Sequence, residues 1–116
     1  MSFYCASLCI DCMYEDKINL LVERVSADFD PKVIIIFGSV AKGTATADSD
    51  IDVAVILDTD LSWTQRAVAV RRSIGRFGVP LDLLVFTPEE VEAERGNPCT
   101  IVSEILSTGK VVYGSA

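Results

Sequence analysis

Asp50 and Asp52 stand two positions apart, and a third carboxylate, Asp82, interrupts the apolar run from Leu81 to Phe86. In a β-strand, alternate side chains share a face, so Asp50 and Asp52 project together while Ile51, Val53 and Val55 turn the other way. Carboxylates held that close repel one another unless a cation sits between them, and the ordinary cation for oxygen donors is divalent. A lone carboxylate in an apolar strand is unfavourable to place. If the strand carrying Asp82 lies beside the strand carrying Asp52, the three form a cluster able to hold two Mg²⁺ ions. Gly38 and Ser39 end another apolar run, Val33 to Phe37. A strand that ends in glycine and enters a short helical turn exposes backbone N–H groups to an anion such as phosphate. The small residues Ala41, Gly43, Thr44 and Ala45 let a triphosphate approach the backbone, and Lys42 offers a point charge.

Two other phosphate or metal motifs fail on the same residues. A P-loop requires Gly-Lys-Ser/Thr, and Lys42 precedes Gly43. An EF-hand beginning at Asp48 requires Gly where Val53 stands and Glu where Thr59 stands. Read singly, Asp48 to Asp52 is a polar turn and Asp82 an edge-strand residue; their coordinated occurrence argues for a site.

Composition narrows the function further. The chain has 116 residues, half of them apolar, enough for one core and one domain. A net charge of −7 works against gripping a long nucleic acid, which needs clustered Lys and Arg. There is no histidine, so catalysis falls to carboxylates, hydroxyls, thiols or amines. No apolar run approaches the roughly 18 residues that span a bilayer, and the N-terminus lacks a signal peptide's basic flank. A cytoplasmic protein without membrane contact is the expectation. Cys5, Cys9 and Cys12 imitate the spacing of an iron–sulfur loop, with Cys99 as a fourth thiol, but the same spacing is one face of a helix. Reduced thiols are expected, adventitious zinc being the lesser alternative.

The elements that would position these groups follow from periodicity. Ile18, Leu21, Val22, Val25 and Phe29 predict an amphipathic helix ended by Asp30-Pro31. Strands are predicted over 33–37, 51–57 and 81–86. A second helix, within 61–77, carries Trp63, Ala67, Val70, Ile74 and Phe77 on one face. Arg66, Arg71, Arg72 and Arg76 then fall on a solvated or partner-facing side. Thr87-Pro88-Glu89-Glu90 has the form of a capping box opening a short helix. A last helix around Ile101 to Leu106 closes at Gly109, before a short strand at Val111 to Tyr113. The cysteine stripe is out of register with the first helix, so residues 1–12 read as an extra segment on a single domain spanning 13–116, with Met13 as the expected native start.

With these residues in view, the chain resembles the minimal nucleotidyltransferases of the DNA polymerase β superfamily, whose signature is Gly-Ser, ten residues, then Asp-x-Asp. Here it reads GSVAKGTATADSDID, and Leu81-Asp82-Leu83 matches the later hydrophobic-Asp-hydrophobic element. Val40 and Lys42 depart from the residues many relatives carry there. The resemblance implies an α+β fold, an αβαβαβ core with a mixed three- to four-stranded sheet flanked by helices. It implies Asp50 and Asp52 as ligands of both metals, with Asp82 serving the catalytic metal and activating the acceptor hydroxyl. Gly38, Ser39 and Lys42 would bind the nucleotide, and the substrates would be ATP or another nucleoside triphosphate with Mg²⁺. Small relatives are paired with a HEPN-type toxin, whose tyrosine they modify, so the expected function is AMP transfer to such a partner by an antitoxin. The alternatives are a non-catalytic nucleotide- or partner-binding module and an aminoglycoside-type nucleotidyltransferase. The oligomeric state, a homodimer included, stays open.

Overall fold

The computed structural model describes residues 10–38, 50–97 and 99–114, with side chains from residue 15 onward. Its elements are α1 (Ile10–Asp28), β1 (Val33–Phe37), β2 (Ile51–Ile56), α2 (Trp63–Ile74), β3 (Leu81–Phe86), α3 (Pro88–Glu94), α4 (Ile101–Thr108) and β4 (Lys110–Gly114). The strands form one four-stranded sheet in the order β3-β2-β1-β4. β1 is antiparallel to both β2 and β4, whereas β2 and β3 are parallel. A parallel pair needs a crossover, which α2 provides. The fold is thus α+β with a mixed sheet, as expected. The helix that an αβαβαβ order places between β1 and β2 would fall in residues 39–49, outside the described residues.

Side-chain alternation divides the sheet into two packed faces. Ile34, Ile36, Ile51, Val53, Val55, Leu83 and Val85 pack with Leu21 and Val25 of α1 and with Val70, Ile74 and Phe77 of α2 and its exit. Val33, Ile35, Ala54, Ile56 and Phe86 pack instead with Val91 of α3 and Val102 and Ile105 of α4. Cover on both faces is why β1 reads as an unbroken apolar run. Truncating a fully enclosed side chain such as Ile36, 1% exposed, would cost about 2–5 kcal/mol.

The helix starts are fixed locally. Thr87 accepts from the Glu90 N–H while the Glu90 side chain accepts from the Thr87 N–H, the capping box expected from sequence, with Pro88 in the first turn. Ser62 and Gln65 form a second box that shortens α2 relative to the predicted 61–77, and the Gly75 cap ends it. α1, described from Ile10, begins ahead of the Ile18 periodicity. It therefore runs across the boundary expected between residues 12 and 13. Trp63, expected within the buried stripe, is 48% exposed and lies edge-on against Phe86. No described helix is long and apolar enough to cross a membrane.

Candidate active site

Asp50 immediately precedes β2, and Asp52 is its second residue. Ile51, Val53 and Val55 pack under α1 and α2, so Asp52 shares the opposite face with Ala54 and Ile56. β3 runs parallel in register, pairing Asp52 with Asp82 and so setting the two carboxylates side by side at one end of the sheet. Asp50 and Asp82 are exposed and Asp52 is partly buried. β1 arrives at the same end from the other direction, with Phe37 opposite Asp52. Gly38 follows at φ 75°, a conformation that L side chains rarely adopt. A Cβ at Gly38 would also collide with the Asp52 carboxylate oxygen. Glycine is therefore required there by backbone conformation and by the close approach of Asp52.

The electrostatics are those of crowded like charges. Asp52 has its pKa raised above the ordinary carboxylate range, first by burial, then by the charges of Asp82 and Asp50, and last by a side-chain hydrogen bond with Asp82. Among the described residues, the ion pairs are Arg66–Glu90 and Arg95–Glu92; neither involves Asp50, Asp52 or Asp82. Again among the described residues, no three potential donors converge into a protein-only metal cage. Asp52 and Asp82 are thus paired across β2 and β3, and Asp50, two residues before Asp52, adds its charge to the same end. This donor set fits Mg²⁺, which is ordinarily held by one or two carboxylates together with substrate phosphates and water. Ser39 and Lys42 lie outside the described residues, as do Cys5 and Cys9. Cys99 is an exposed free thiol in the turn before α4.

Arg66 corrects the expectation of a solvated arginine face on α2. It is 7% exposed and donates to Glu90 Oε1 at 2.6 Å, to the Val85 carbonyl at 3.3 Å and to the Leu61 carbonyl at 3.3 Å. Its guanidinium carbon also lies 5.6 Å from the Trp63 ring centroid. Spacing could have found it: Arg66 follows Trp63 by three positions and precedes Val70 by four, within the buried stripe itself. Arg71 is exposed but directed, reaching the Leu81 carbonyl just before Asp82. No interaction of Arg72 bears on the site.

A family model described as a nucleotidyltransferase domain matches residues 18–112. None of the curated proteins compared matches the chain. Among solved structures, one similar fold is a Sulfolobus solfataricus protein assigned to the nucleotidyltransferases, with TM-score 0.59 and 20% identity over 94% of this chain and 92% of that one. A second is a toxin–antitoxin complex, MntA-HpeT, carrying a tyrosine-to-alanine change, with TM-score 0.54 and 24% identity over 87% of this chain and 72% of that one. A third is a toxin–antitoxin structure with AMP-PNP, with TM-score 0.51 and 25% identity over 87% and 73% of the two chains.

Proposed function

Because this chain belongs to the nucleotidyltransferase domain family, and is an enzyme of that class, we propose that it transfers AMP from ATP to the hydroxyl of a protein partner. The observation that carries the reading is the β2–β3 register, which pairs Asp52 with Asp82 while β1 delivers Gly38 against Asp52. In the proposed reaction, the acceptor oxygen forms a bond to the α-phosphorus as the bond to the oxygen bridging the β-phosphate breaks, and pyrophosphate leaves. Divalent metal, two Mg²⁺ ions in this reading, supplies neutralisation of the triphosphate and of charge on the attacking and leaving oxygens when bound. Asp50, Asp52 and Asp82 are the residues that would hold it. Asp82 is the more exposed of the paired carboxylates and is assigned the acceptor's proton. Gly38, Ser39 and Lys42 are assigned to the triphosphate, Gly38 because the end of β1 carries no side chain there.

Two observations support the adenine nucleotide and the protein acceptor. One similar structure is a toxin–antitoxin assembly with AMP-PNP, an analogue of ATP, and another is a toxin–antitoxin complex. The acceptor proposed is a tyrosine of a HEPN-type toxin, which makes this chain the antitoxin.

The test is incubation with α-³²P-labelled ATP, Mg²⁺ and the HEPN-type partner. The wild-type chain is expected to label the partner, and an Asp50→Ala, Asp52→Ala double variant is expected not to. A stable complex that is never labelled with any nucleoside triphosphate would replace the enzyme reading with that of a binding module. Label appearing on an aminoglycoside without any protein acceptor would move the function to small-molecule modification.

A further inference from the structure

Among the described residues β3 is an edge strand, paired on one side only, yet it carries Asp82 against the like-charged Asp52. Repulsion at that end favours splaying of the first residues of β3 away from β2. The segment that leads into β3, residues 75–80, is fastened by cations from α1. Lys17 Nζ donates to the Phe77 carbonyl at 2.7 Å and lies 5.7 Å from the Phe77 ring centroid, while Phe77 itself is buried in the core under α1. Arg24 donates to the Ile74 carbonyl and, at 2.9 Å, to the Arg76 carbonyl. Gly78, at φ 85°, makes room for the Lys17 ammonium, since a Cβ there would lie 2.9 Å from Nζ. The chain then meets β2 directly: the Ile51 N–H, between Asp50 and Asp52, donates to the Pro80 carbonyl at 3.0 Å.

Ordinary capping of a helix C-terminus by a basic side chain accounts for the bond from Arg24 to Ile74. It does not account for the bonds to Arg76 and Phe77, which lie beyond the helix and fix the path toward Asp82. We propose that Lys17 and Arg24 are positioning residues. They clamp the α2–β3 connection so that Asp82 is held beside Asp52 before any cation arrives, leaving the pair preformed for a divalent ion. The inference rests on the nucleotidyltransferase reading for its chemical consequence and on the hydrogen bonds alone for its geometry.

The experiment uses the full chain and Mn²⁺ as the probe, with binding followed by electron paramagnetic resonance and amide exchange at Ile51 followed by NMR. Lys17→Ala and Arg24→Ala are each expected to weaken Mn²⁺ binding about tenfold, the scale on which residues behind a metal's ligands act. Both are expected to speed exchange at Ile51, and Lys17→Arg is expected to restore both readings. Lys32→Ala, an exposed lysine before β1 at the other end of that strand, should change neither. If Lys17→Ala melts below the working temperature, Lys17→Met keeps the aliphatic stem and tests the same ammonium. Unchanged Mn²⁺ affinity in a folded Lys17→Ala, Arg24→Ala double variant overturns the proposal. If the wild-type chain binds no Mn²⁺ by itself, the ion requires substrate phosphates and Ile51 exchange alone decides: faster exchange in the double variant upholds the clamp, and unchanged exchange overturns it.

Discussion

β3 begins and ends among charged side chains, and its two ends are built on opposite electrostatics. At its start, Asp82 lies beside Asp52 with Asp50 close by, and burial and like charge raise the Asp52 pKa. Beyond its end, Thr87 opens α3, whose Glu90 accepts from the buried Arg66 at 2.6 Å. The Glu90 pKa is lowered, chiefly by that hydrogen bond, against the opposing effect of burial. One end satisfies its charges internally and adds to stability. The other leaves them unsatisfied, a stability cost that recurs where a protein must bind something from outside.

The largest separation between the two ends should come from Asp52→Asn. In the proposed reaction, removing a carboxylate that would hold the charge-neutralising metal forfeits several kcal/mol, on the order of a thousandfold in rate. The same change removes the repulsion with Asp82, so the metal-free variant is expected to melt above wild type. Turnover and a thermal melt on one preparation check both halves. A variant that loses activity and also melts lower would mean that Asp52 supports the fold, and the contrast would collapse.

Arg66→Met acts on the opposite end and should give the converse result. Glu90 keeps a 42% exposed side chain and can rehydrate, so the expected loss is about 2 kcal/mol, below the roughly 3–5 kcal/mol of a pair broken in full burial. Denaturant unfolding measures it. Transfer activity should be retained at temperatures where the variant is folded, because Arg66 contacts the end of β3 remote from Asp82.

Acidity should pull the two ends in opposite directions. Asp52 binds a proton more tightly when folded, so its contribution is fully present below its ordinary value of 3.8 and is lost as pH rises through its raised folded value. Glu90 binds a proton less tightly when folded, so its contribution is present above its ordinary 4.5 and is lost as pH falls through its lowered folded value. In a metal-free series of melts, Asp52→Asn should therefore remove a component that falls with pH, and Glu90→Gln one that rises. A divalent cation should raise the melting temperature more at pH 7.5 than at pH 4.5, since only ionised carboxylates attract it. Equal shifts at both values would disconnect the cation from these carboxylates.

Much of this contrast is written locally in the chain. The Asp50–Asp52 spacing, the apolar runs of β1 to β3 and the Thr87 box each depend on the period of one element, which is readable from neighbours in sequence. What was not legible is set by contacts between distant segments. The sequence shows Asp82 interrupting a strand, but its pairing with Asp52 depends on the parallel register that the α2 crossover creates. Gly38 reads as a glycine open to phosphate, whereas its contact with Asp52 exists only once β1 and β2 pair. Arg66 reads as solvated for a different reason: its charge outweighs its place in the stripe, and its acceptors come from β3 and α3. Lys17 and Arg24 gave no sequence signal, because basic residues on an amphipathic helix read as solvated until the partner carbonyls are known.

Thr87→Ala is the finest probe of the satisfied end. The Thr87 hydroxyl accepts from the Glu90 N–H at 3.2 Å, and the Glu90 carboxylate that answers it at 3.0 Å also receives Arg66. Loss of an N-cap hydroxyl costs about 1 kcal/mol, and Thr87→Ser should recover most of it. If Glu90 is oriented jointly by the cap and by Arg66, the two single changes should cost less together than their sum, with a coupling of at least about 0.5 kcal/mol. Strict additivity would make the cap and the ion pair independent devices that share an oxygen by proximity. Coupling would make the end of β3 one network, its charges answered from α2 and α3 together, as those at the start of β3 are not.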